Sequence, residues 1–155
     1  MMGGDLRLNK TAGVNAIDGN IIVGDDFGGA NADRLVFLQS NQIGVRAVTV
    51  RSSGQLHFDS GVSDTFNGTL SLFAGAVSSA NINFAGGGST LNDNVTVTYL
   101  PGVVTSSGAS ITGDFGMTAT RTFTVNDGPA INDLIISGIV SGAGGLTKPA
   151  RASLP

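Results

Sequence analysis

Apolar and polar residues alternate in short bursts along this chain. Val48-Thr49-Val50, Leu70-Ser71-Leu72, Val95-Thr96-Val97 and Phe123-Thr124-Val125 are the clearest of them. A period of two puts one face of a strand in a core and the other in water. The pattern predicts strands at residues 21–23, 35–38, 47–51, 56–58, 69–73, 81–84, 94–99, 109–112, 122–125 and 134–136. Their starts recur roughly every 12 to 14 residues, with some shorter gaps. Two strands per coil then give a repeat of roughly 20 to 28 residues, the range in which solenoids are built.

Turn signals separate the strands: Asp18-Gly19-Asn20, Ser53-Gly54, Asn67-Gly68, Gly86-Gly87-Gly88, Pro101-Gly102 and Asn126-Asp127-Gly128-Pro129. Gly and Asn accept the positive φ that sharp corners need. Asn-Gly and Asp-Gly also favour hairpins, so an antiparallel β-sandwich is the structural alternative. The number of Gly corners and the brevity of the apolar runs favour an all-β solenoid in which each coil supplies one rung. Two stretches read as loop excursions, 24–33 and 86–93. Neither resembles an interdomain linker, so residues 1–148 are expected to form one solenoid domain. Residues 149–155 hold two prolines and no alternation, and are expected to be an irregular tail.

Composition strengthens the all-β reading. Of the 155 residues 41% are hydrophobic, enough for a core, and only 12% are charged. All acidic residues are Asp, and Lys occurs only at Lys10 and Lys148, so residues suited to solvated helix faces are nearly missing. The net charge of −3 and the lack of a basic cluster argue against nucleic acid and against a polybasic membrane site. With no cysteine, disulfides and thiol chemistry are excluded. The first seven residues show no basic region followed by an apolar stretch, so no signal peptide is expected in them. No apolar run approaches the length of a membrane helix.

Candidate chemistry is sparse. His57 is the single histidine and sits between Leu56 and Phe58, which points it to the wet face. A zinc site needs more than one such ligand, and no nucleophile elbow is present. Asp25, Asp26 and Asp33 flank a Gly-rich loop whose oxygens could suit calcium, although the spacing is not that of an EF-hand. Asp59 and Asp64, with Asp93, Asp114, Asp127 and Asp133, supply carboxylates of the kind glycosidases and lyases pair. Most stand beside Gly or Asn, where turn chemistry accounts for them. Asn81, Asn83, Asn92 and Asn94 could stack as polar ladders between coils. Phe58, Phe73, Phe84, Phe115 and Phe123 are expected in the core. No catalytic, cofactor or metal residue is assigned.

The segment Ile136-Ser137-Gly138-Ile139-Val140-Ser141-Gly142-Ala143-Gly144-Gly145-Leu146-Thr147-Lys148 resembles the autotransporter-associated β-strand repeat of bacterial passenger domains. A looser likeness to long members of that group runs through residues 14–26, 33–43, 48–54 and 64–72. The resemblance implies a right-handed parallel β-helix carried on a large cell-surface or secreted protein. It implies a structural or display role, with a glycan-binding adhesin module or a carbohydrate-active enzyme as the alternatives. A glycan or host-surface ligand and self-association through open solenoid ends are the expected partners. Pro149 interrupts the pattern where the family continues with another turn and strand, so a truncated or frame-shifted piece of a longer repeat protein is expected.

Overall fold

A computed structural model of the chain describes residues 3–149. Its strands are β1 (Gly4–Leu8), β2 (Ile21–Val23), β3 (Asp33–Phe37), β4 (Val48–Val50), β5 (Gly54–Phe58), β6 (Thr65–Phe66) and β7 (Leu70–Ala74). They continue with β8 (Asn81–Leu91), β9 (Val95–Tyr99), β10 (Ala109–Gly116), β11 (Arg121–Val125), β12 (Leu134–Ser137), β13 (Val140–Ser141) and β14 (Leu146–Thr147). The chain visits two sheets in turn. One runs β1-β3-β5-β8-β10-β12 and the other β2-β4-β7-β9-β11-β14. Every pairing between these strands is parallel. The result is a right-handed parallel β-helix of about 6 turns, the hand that parallel crossovers adopt. The sandwich alternative fails because the Gly and Asn corners carry the chain across to the other sheet instead of back along the same one.

All ten strands expected from alternation are present. The coil period, read from stacked partners, is 21 residues for Arg34 and Gln55, 26 for Gln55 and Asn81, and 29 for Asn81 and Ser110. Corner length absorbs the variation while strand register stays fixed. Two strands per coil is too few, however. β6 and β13 pair with the far ends of β8 and β10 and make a narrow third face. Residues 86–93 are correspondingly not a free loop. β8 runs through to Leu91, and the register shifts so that Gly113 pairs with Phe84 but Phe115 with Ser89. Residues 85–88 bulge outward there. Gly113 has φ +83, and a Cβ would collide with the Phe84 carbonyl, so no other residue fits that bend.

The core is a set of axial columns. Leu35, Leu56, Ile82 and Ile111 lie in register and buried, with Leu6 above and Ile136 below. Across the interior stand Ile21, Val48, Leu70, Val95 and Phe123. A phenylalanine column follows: Phe37 stacks on Phe58 with centroids 4.1 Å apart, and Phe58 meets Phe84 at 5.1 Å and Phe66 at 6.0 Å. Phe84 passes the contact to Phe115 at 5.8 Å. Phe73, expected in the core, faces outward instead. It pairs with Thr98 on the outer side of its strand and carries the Arg51 guanidinium 5.2 Å above its ring. Its place in Leu70-Ser71-Leu72-Phe73 decides this, because the two leucines already hold the inward parity.

Phe58 is fully buried and touches three other rings. Phe58→Ala is expected to remove about 3–5 kcal/mol of stability in urea unfolding. Phe27→Ala, at a ring 61% exposed, should stay within about 0.5 kcal/mol of the parent. Equal effects at the two positions would contradict the axial core.

Candidate functional site

The sheet containing β5 and β8 carries the most functional groups on its outer face. Outward positions stack as tightly as inward ones, so like side chains meet across coils. Arg34 reaches the Asp5 carboxylate at 3.4 Å and donates through Nε to Gln55 Oε1 at 2.9 Å. The Gln55 amide donates to Asn81 Oδ1, and Asn81 donates to Ser110 Oγ at 2.8 Å. One polar ladder thus crosses five coils. A second, shorter one runs beside it, where Asn83 Nδ2 donates to His57 Nδ1 at 3.3 Å. That leaves the proton of the neutral ring on Nε2, which lies 3.5 Å from Asp59 Oδ1. His57 is therefore on the outer face, as alternation indicates, and is held between two polar neighbours. Asn92 joins Asn67 at 3.0 Å and Thr118 at 2.7 Å, while Asn94 Oδ1 accepts from the Thr122 N–H. All four asparagines singled out from the sequence bridge coils.

The carboxylates divide differently from the paired-acid expectation. Asp64 lies 3% exposed in the corner before β6. It accepts from the backbone N–H groups of Gln42 (2.6 Å), Ile43 (3.2 Å) and Thr65 (2.7 Å). Burial pushes its carboxyl above the ordinary range, and the three N–H groups only partly oppose that. Asp59 instead sits at the surface beside His57. Turn and strand-end N–H groups occupy most of the others. Asp93 accepts from Asn94 at 2.7 Å, Asp114 from Ile139 at 2.7 Å, and Asp133 from Gly128 at 3.1 Å. Asp133 also accepts the Tyr99 hydroxyl at 2.7 Å, and burial together with that bond pushes the phenol up to about 12.

The loop from Gly24 to Asp33 has a similar answer. Asp26, at φ +71, faces Arg51 and receives both Nε and Nη2. Its other oxygen takes the Ser52 N–H at 2.9 Å and hydroxyl at 3.1 Å. Asp25 accepts from Phe27 N–H, and Asp33 from the Ser53 hydroxyl at 2.7 Å. The three side chains clamp the loop to the next coil. Among the described residues no three His, Asp or Glu side chains converge as a metal ion would need. No helix among them is long and apolar enough to cross a membrane.

A corner staple is the arrangement the sequence reading missed. Gln42 Oε1 accepts the Lys10 N–H at 2.9 Å, Asp64 accepts the Gln42 N–H, and Ser89 Oγ accepts the Asp64 N–H at 3.2 Å. Each member reaches the backbone of the coil before it. The available signal was spacing: Gln42 and Asp64 are 22 residues apart and Asp64 and Ser89 are 25, the coil period itself. Fold and surface together define a parallel β-helix whose polar groups are largely joined coil to coil. No family model, curated protein or solved structure matches this chain.

Two outcomes test these assignments. Asp64→Ala would leave buried N–H groups without acceptors and should cost about 3 kcal/mol or more in urea unfolding. Asp59→Ala should cost well under about 1 kcal/mol, as for an exposed pair. Acid unfolding reports on Asp26. Burial raises its carboxyl, but the bonds from Arg51 and Ser52 outweigh burial and hold it below the ordinary 3.8. A carboxyl so lowered stabilises fully above its unfolded value and loses that contribution as pH falls through its folded value. Asp26→Asn, which tolerates the same φ, should therefore cost about 1 kcal/mol at neutral pH. The gap between variant and parent should narrow as the pH falls from the ordinary 3.8 through the lower folded value of Asp26.

Proposed function

We propose that this chain is a structural and display segment of a bacterial cell-surface or secreted passenger protein of the autotransporter type, without intrinsic catalysis. The observation that carries this reading is the behaviour of the segment resembling the β-strand repeat. Residues 134–147 form one coil through β12, β13 and β14, in register beneath β10 and β11. A repeat that folds as one rung is the unit from which a long stalk is made. The outer surface suits that role, since its amides, hydroxyls and carboxylates mainly hold neighbouring coils together.

The carbohydrate-active reading has less support. Acid–base cleavage of a glycan needs two carboxylates facing one substrate. Asp64 is turned into a corner and bonded to three N–H groups, while its suggested mate Asp59 stands outside. An adhesin would use the outer face around Gln55, His57 and Asn83 for a glycan or host-surface ligand, and is the second form the display reading takes.

The test is to express the chain between a secretion leader and an outer-membrane barrel, with an epitope in the bulge at 85–88. Antibody labelling of intact cells, with protease-resistant coils, is expected. Retention and degradation inside the cell would overturn the display reading. So would turnover of a polysaccharide by the purified protein that disappears in Asp59→Asn.

A further inference from the structure

Among the described residues the first and last coils each leave an apolar groove, and the two are alike in their inward lining. At the first, β1 and β2 leave a groove of about 330 Å³ lined by Leu6, Ile17, Ile21, Val23 and Leu35. At the second, β11, β12 and β14 leave a groove of about 340 Å³ lined by Phe123, Val125, Leu134, Ile136 and Leu146. Leu6 heads the inward column that Ile136 ends, and Ile21 heads the one that reaches Phe123. Leu6 is 62% exposed, where Leu35 and Leu56 in the same column are 2% and 0%; Leu146, in register with Arg121 at the other end, is 46% exposed.

We propose that the two grooves bind each other, so that the first coil of one copy seats under the last coil of another and continues the stack head to tail. Two observations select a second copy as the occupant. The contact continues an interface already made coil upon coil within the chain, with the same parallel polarity and the same inward aliphatic columns. The free edges of β1 and β12 are complementary halves of one parallel ladder, and such edges recruit strands. The size is at the small end: the first coil spans residues 4–23 and the last the shorter stretch 134–147, against about 20–30 residues a side in standard interfaces. Because the two surfaces differ, the contact does not close on itself, and it yields open-ended chains of copies. This inference concerns the chain as it stands; in the longer passenger of the display reading, adjoining coils would fill the same two grooves, so failure of the association test leaves that reading untouched.

The full chain should sediment as a concentration-dependent series of dimers, trimers and longer species. Leu6→Arg blocks the first groove and Leu146→Arg the second. Both positions are already exposed, so the β circular dichroism should be retained; Ile22→Arg, at a residue 69% exposed beside the first groove, serves if Leu6→Arg fails to fold. Each variant alone should be monomeric at concentrations where the parent associates. Mixed in equal amounts, they should form one heterodimer and nothing longer, because only one intact groove of each kind remains. A parent that stays monomeric throughout, a parent that stops at a dimer, a variant that still self-associates, or a mixture that does not pair would each overturn the proposal.

Discussion

Register between successive coils is the constraint on which this molecule depends. In a parallel β-helix the two sheets face each other across one interior, and along the axis each coil is covered only by the coils above and below. An inward position therefore needs an apolar partner at the same height in both neighbours. Leu35, Leu56, Ile82 and Ile111 meet that requirement on one wall, and Val48, Leu70 and Val95 on the other. A slip by one residue would turn all of them outward at once. The coil period can vary between 21 and 29 residues because only strand positions are fixed in this way. Corners take up the difference, and Gly113 marks the place where β8 sets four residues, 85–88, against one on β10.

The polar structure follows from the same constraint. Stacking at strand spacing, about 4.8 Å, brings equivalent side chains within hydrogen-bond reach along the axis, so outward columns become ladders. Gln55, Asn81 and Ser110 form one without any special device. Corners pose the harder problem, because their backbone N–H groups leave the ladders yet lie under neighbouring coils. Gln42, Asp64 and Ser89 solve it by presenting acceptors at coil spacing. A carboxylate suits the tightest corner because one group accepts several N–H bonds, which offset part of the cost of holding it in a buried place. The same logic suits Asp93, Asp114 and Asp133, whose short carboxylates reach nearby backbone N–H groups.

How much of this was legible depended on whether the signal was local. Alternation such as Val95-Thr96-Val97 needs no knowledge of neighbours, and it located ten strands. The strand β1 was not among the predicted ones, since only Leu6 and Leu8 carry an apolar signal there; pairing with β3 completes it. The two-residue strands β6 and β13 carry no period at all and exist because β8 and β10 run past the corner. Phe73 was misplaced for a related reason. Composition says a phenylalanine belongs inside, but parity within its strand, fixed by Leu70 and Leu72, says otherwise, and parity wins because it is shared by five residues. The role of Asp64 was hidden for the opposite reason. Its partners lie one coil away, and only a period of 22 to 25 residues connects them.

The separation of Asp59 from Asp64 shows how the fold constrains function. Five residues apart in sequence, they suggest a pair. In a coil, five residues is enough to pass from an outer strand face into a corner, and the environments become opposite: one carboxylate in water beside an imidazole, the other sealed under three N–H groups. Chemistry on a β-helix must be assembled along the axis, from equivalent positions of successive coils, rather than along the sequence. Here the axial neighbours of the outer groups are already their hydrogen-bond partners. His57 meets Asn83, and Asn81 meets both Gln55 and Ser110. Groups so engaged stiffen the surface and hold it in one arrangement. Under the proposed display role, such a surface would carry and space, with the long axis of the stack giving the spacing its direction.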